Sequence, residues 1–113
     1  MKTRCSQVLF VGNYDRSLMF ADDAIANWFN EPIQLFQVTS YTAAIAAVQM
    51  PFDAVLVTLN FDGHSGLEFI QHARLLNVKM PLILVSQVYD DSLDYKARQI
   101  GATDLISQNA LPA

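Results

Sequence analysis

The chain has 113 residues, 52% of them apolar and 16% charged, with a net charge of −4. That length suits one domain with a single core. The apolar fraction excludes a disordered tail, and an acidic balance without a basic run argues against direct nucleic-acid binding.

No apolar run approaches the roughly 18 residues that cross a bilayer. The start, MKTRCSQ, leads into too few apolar residues for a signal peptide. A lone Cys5 can form no internal disulfide, which fits a reducing cytoplasm. It precedes the first strand beside Arg4, and nothing else marks it as a reactive thiol.

Strand-like and helix-like patterns alternate along the chain. Gln7 to Val11 reads as the first strand. Asp15 then caps a helix whose apolar stripe is Leu18, Ala21, Ile25 and Trp28. Phe20 and Phe29 fall to either side of that stripe, one of them expected to be exposed as a contact point, and Asp22-Asp23 lies on its solvated side. Pro32 precedes a second strand, Gln34 to Val38, whose mixed polarity suits a sheet edge. Ser40 caps an alanine-rich helix, Ala43 to Gln49, which Pro51 stops. Ala54 to Leu59 is a short, β-branched apolar run, the pattern of a strand buried on both faces of a parallel sheet.

Ser65 and Glu68 have capping-box spacing and open a helix at Gly66 that buries Leu67, Ile70 and Leu75. His72, four residues after Glu68, can pair with it on the outer face. Asp62 and His64 could ligate a metal, but two ligands without a third at recognisable spacing read more simply as a polar loop around Gly63. Pro81 to Val85 is another buried strand. Asp90 and Asp91 favour the N-terminus of a helix running to Ile100, and Gly101 suits the left-handed position beyond it. Asp104 to Ser107 is the fifth strand.

Five strands alternating with four helices specify an α/β fold, a doubly wound, flavodoxin-like five-stranded parallel sheet between helical layers. The chain stops at Leu111-Pro112-Ala113, where a fifth helix should begin. Part of one sheet face is therefore expected to be open to water. Residues 1–113 are expected to be one domain, the N-terminal part of a longer protein, unless a partner chain fills the gap.

The run DAVLVTLNFDGHSGLEFI, with VGNYD, PLILVSQ and DLISQNA, resembles the receiver domains of bacterial two-component response regulators over Val8 to Asn109. The resemblance implies the CheY-like strand order 2-1-3-4-5. It also implies a pocket at the C-terminal ends of the strands, where family members carry an acidic pair, an acceptor aspartate, a hydroxyl residue and a lysine. Here those positions match Gly12 and Asn13, Thr58, Ser86 and Gln108, and the aromatic switch position matches Leu105. Magnesium wants oxygen ligands anchored by carboxylates, and a phosphoryl group wants a nucleophile and a cation. Only Ser86 keeps the pattern, so the resemblance implies a degenerate receiver that is not phosphorylated, with no catalytic residue, bound metal or cofactor.

The resemblance thus implies a cytoplasmic, phosphorylation-independent regulatory domain. Such a domain docks on a protein partner or fused output domain, or forms a homodimer, and contacts neither nucleic acid nor membrane. Leu93, Tyr95 and Leu105 are the side chains expected to make that contact. The ending GATDLISQNALPA resembles receivers fused ahead of PAS domains, cyclic-di-GMP cyclases or phosphodiesterases, or histidine kinases. Two other classes stand beside this one: a sensor binding a small neutral or weakly anionic molecule near Asn13, Thr58 and Ser86, and an enzyme on the same sheet, for which no nucleophile–base pair or glycine-rich phosphate loop speaks.

Overall fold

The computed structural model describes residues 6–12, 33–86 and 90–107. Five parallel strands form the sheet: β1 (Ser6–Val11), β2 (Ile33–Val38), β3 (Ala54–Thr58), β6 (Leu82–Ser86) and β7 (Asp104–Ser107), in the order β2-β1-β3-β6-β7. Two further strands of two residues each, β4 (Asn60–Phe61) and β5 (His64–Ser65), pair with one another outside it. With those set aside, the sheet has the 2-1-3-4-5 order expected from the sequence. Three helices are described: α1 (Tyr41–Ala47), α2 (Gly66–Leu75) and α3 (Asp91–Gln99). The stripe Leu18, Ala21, Ile25 and Trp28, together with Phe20, Phe29, Asp22, Asp23 and Cys5, lies outside the described residues.

The sheet forms because alternate residues of each inner strand find apolar cover on opposite faces. Leu9, Val11, Val55, Val57, Leu82 and Leu84 join Phe69, Ile70 and Ala73 of α2, Ala44 and Ala97 in one cluster. Val8, Phe10, Ala54, Leu56, Ile83 and Val85 form the second, with Ile106 packed on its margin. Every one of those six is at most 1% exposed, whereas Ile106 of β7, on the same face, is only partly buried.

The caps explain where the helices begin and end. Ser40 accepts from the Ala43 amide at 3.3 Å and Asp90 from the Ser92 amide at 2.7 Å, satisfying donors that helix starts leave free. Ser65 accepts from Leu67 rather than from Glu68, and Glu68 is held elsewhere, so the expected reciprocal capping box reduces to a single-sided cap. Gly101, at φ +113°, takes the left-handed position after α3, and Asn77, at φ +66°, does the same after α2.

Two expectations about the helices fail. Leu75 of α2 is 77% exposed, because the buried stripe runs Gly66, Phe69, Ile70, Ala73 at helical spacing and Leu75 falls off it. The helix beginning after Ser40 starts at Tyr41 and stops at Ala47, two residues earlier at each end than the alanine run suggests.

Candidate functional site

The C-terminal ends of β1, β3 and β6 bring Gly12, Thr58 and Ser86 to one edge of the sheet. Asn13 and Gln108 lie outside the described residues. Thr58 is 7% exposed and Ser86 6%, the two buried polar side chains at that edge among the described residues. The Thr58 hydroxyl is within donating distance of the Val11 carbonyl (3.4 Å) and the Asn60 carbonyl (3.2 Å), so its proton has a partner inside the protein. Ser86 pairs in register with Ser107 of β7, one step beyond the Thr58–Val85 pair.

Two glycines close on Thr58. Gly12, at φ +123°, donates its amide to the Val38 carbonyl (2.8 Å), and its carbonyl accepts from the Gln37 side-chain amide (3.0 Å). A Cβ there would stand 3.0 Å from Thr58 Cβ and Cγ2 and would overlap Oγ1. Gly66 opens α2 with its amide on the Leu59 carbonyl (2.7 Å), and a Cβ there would overlap the Thr58 carbonyl. The threonine thus fills the space between the first and third strands.

The loop above Thr58 is built, not slack. Asn60–Phe61 (β4) and His64–Ser65 (β5) pair antiparallel across Asp62-Gly63, whose positive φ values of 51° and 72° make the two-residue turn a right-twisted hairpin prefers. Asp62 Oδ2 accepts the Tyr41 amide at 2.8 Å, tying this hairpin to the start of α1. The Tyr41 ring lies 4.2 Å from that of His64 and 5.8 Å from Phe61, and meets Phe69 edge-on. Its hydroxyl is 3.2 Å from His72 Nδ1. Burial, and then the negative charge of Glu68, push the Tyr41 phenol above its usual pKa.

The histidines therefore take partners other than those expected. Glu68 pairs with His64 at 3.1 Å, and His72 turns to Tyr41. Asp62 and His64 are each engaged within the fold, Asp62 by the Tyr41 amide and His64 by Glu68 and the Tyr41 ring. Among the described residues no group of three or more His, Cys, Asp or Glu side chains could hold a metal ion. Sequence reasoning missed the hairpin, although Asp-Gly between short β-prone segments is its signal, and missed the aromatic cluster, which no local spacing encodes.

On the far side, α3 and β7 carry the three expected contact residues. Tyr95 is 69% exposed, whereas Leu93 and Leu105 pack partly against the core, so the two leucines serve the fold as well as the surface. Arg98 ties the two elements together, reaching Asp94 at 2.9 Å and Asp104 at 3.0 Å. Its hydrogen bond to Asp94, then the charge of Asp94, raise its pKa.

Neither a protein-family model nor any curated protein matches the chain. Solved structures do. The receiver domain of the Francisella response regulator 1452 is 13% identical, with 92% of this chain and 84% of that one covered at a TM-score of 0.73. The Vibrio cholerae chemotaxis protein CheY4 is 16% identical, with 93% and 88% covered at 0.72. A CheY-like response regulator receiver domain from Methylobacillus flagellatus is 22% identical, with 93% and 87% covered at 0.69. Strand order, helix placement and these likenesses agree: the chain has the fold of a CheY-like receiver domain.

Proposed function

We propose that this domain is a degenerate receiver of a bacterial two-component signalling protein, a regulatory module that works in the cytoplasm without phosphorylation and is not an enzyme. The observation that carries this reading is the neutral, filled site. Thr58, at the position matching the family's acceptor aspartate, donates to backbone carbonyls and occupies the space above Gly12. A hydroxyl so engaged, with no adjacent base, is a poor nucleophile. In sequence, Gly12 and Asn13 match the positions where anchoring carboxylates would be needed, a pair that does not suit magnesium.

In a working receiver, charge at this edge biases a two-state element. Here the loop is held by Asp62, Tyr41, His64 and Glu68 through a backbone bond, ring packing and a surface pair, which favours one standing conformation. Function then falls to a docking surface, on α3 and β7, that presents Tyr95 to a protein partner, a second copy or a fused output module such as a cyclic-di-GMP enzyme or histidine kinase.

Acetyl phosphate with magnesium, offered to Thr58→Asp, tests this. The expected result is no incorporated phosphate by intact mass, because the metal-anchoring carboxylates and the lysine are still missing. A stoichiometric mass increase of one phosphoryl group contradicts it.

A further inference from the structure

The two edges of the sheet are built differently. The β7 edge is only Asp104–Ser107, and its first residue is bound to Arg98. Shortness and charge are the ordinary protections of an open strand. β2 has neither. Ile33–Val38 pairs with β1 over six consecutive residues, without a bulge, and contains no charge and no proline.

Gln34, Leu35, Phe36 and Gln37 are all exposed, Leu35 at 36% and Phe36 at 39%. The Val38 carbonyl is turned inward to the Gly12 amide. By strand alternation Phe36 and Gln34 also address β1, which leaves the amides and carbonyls of Leu35 and Gln37 aimed outward.

The absence of charge extends beyond the strand. Residues 32–52 carry no charged side chain, in a chain with 7 basic and 11 acidic residues. α1 lies within that stretch and presents Thr42, Ala43 and Ala46 to solvent, with no acidic first turn and no basic last turn. Surface helices normally carry charge on their outer face. In a molecule of net charge −4, a seam made by this uncharged stretch lets two identical copies meet without charged side chains of β2 or α1 opposing one another.

We propose that the chain self-associates edge to edge through β2. Two copies align β2 antiparallel about a two-fold axis normal to the sheet, joining two five-stranded sheets into one, with the α1 helices flanking the seam. A two-fold of this kind keeps each face on its own side, so opposed residues must share a face. The register that uses most of the strand sets Leu35 opposite Leu35 of the second copy and Ile33 opposite Gln37, each a hydrogen-bonded pair. This surface is separate from the α3–β7 docking face and does not depend on it.

That symmetry supplies a direct test. Cα atoms of a hydrogen-bonded antiparallel pair lie about 5.5 Å apart, within reach of a disulfide. Leu35→Cys in a Cys5→Ser background, oxidised in solution, should cross-link into a dimer of twice 12.6 kDa, whereas Tyr95→Cys in the same background should not. Sedimentation of the otherwise native chain should give the dimer mass. Leu35→Lys should shift it to the monomer, still cooperatively folded but with a melting temperature that no longer rises with protein concentration, and Tyr95→Asp should leave the dimer intact. A chain monomeric at high micromolar concentration overturns the proposal, as does a dimer that survives Leu35→Lys. A dimer lost only with Tyr95→Asp overturns it too, and assigns association to the α3–β7 face instead.

Discussion

The side chain of Thr58 stands where a side chain on residue 12 would have to go: a Cβ added to Gly12 meets Thr58 Cβ and Cγ2 at 3.0 Å, and its Oγ1 closer still. The two positions are therefore coupled by space, and each makes sense only with the other. Gly12→Ala is expected to cost about 1–3 kcal/mol, from the positive φ and from overpacking against Thr58. In a Thr58→Ala background, which removes Oγ1 and Cγ2, the same change should cost less. Urea unfolding of the four proteins measures this coupling, and purely additive effects would show that the two side chains do not compete for the same space.

Arg74 holds the far end of α2. Its guanidinium donates to the carbonyls of Gly101 (2.8 Å), Val78 (2.7 Å) and Met80 (3.0 Å) and to the Thr103 hydroxyl (3.2 Å), joining separate loops, and burial lowers its pKa. Arg74→Met leaves those carbonyls without a donor and should cost about 2–4 kcal/mol. The urea midpoint should fall with an unchanged slope. A loss below about 0.5 kcal/mol would mean that water replaces the guanidinium at no cost.

Tyr41 sets the alkaline behaviour. Its folded pKa lies above the ordinary value of about 10, first through burial and then through Glu68. The stability this contributes is fully present below about pH 10 and is lost as pH rises through the folded pKa. Tyr41→Phe should remove that part of the decline while costing about 0.5–1.5 kcal/mol at neutral pH, through the lost bond to His72. Melting curves between neutral pH and the alkaline limit, compared between the two proteins, check both signs.

Of the three residues on the proposed docking face, Tyr95 gives the clean test. Tyr95→Asp should leave stability within about 0.5 kcal/mol, because the ring is mostly in solvent. Leu105→Ala should cost about 1–2 kcal/mol, because that side chain packs on the core. Binding of the downstream module or partner, measured by calorimetry, should weaken with Tyr95→Asp. Unchanged affinity would move the docking surface elsewhere.

The sheet was legible in the sequence because β3 and β6 are continuous apolar runs, and such runs have few alternatives to a strand covered on both faces. Ser65 and Gly101 marked one helix start and one helix end for the same reason: few residue types satisfy those backbone positions. Glu68 was not legible. Histidines stand four residues to either side of it, and only the hairpin at Asp62-Gly63 decides that His64 is the one brought within reach. Leu75 misled because apolar character alone does not tell which side of the stripe a helical residue occupies. The closeness of Gly12 to Thr58 was invisible, since 46 positions separate them in the chain and only the β1–β3 register brings them together.

A working receiver binds a metal and a phosphoryl group at the sheet edge around Thr58, and the degenerate site proposed for this chain holds neither. The most direct measurement is a thermal-shift titration of the chain with magnesium and beryllium fluoride together. The melting temperature is expected to stay unchanged at millimolar magnesium. A saturable upward shift, of the size that about 2.7 kcal/mol of ligand binding produces at a hundredfold excess over the dissociation constant, would contradict it.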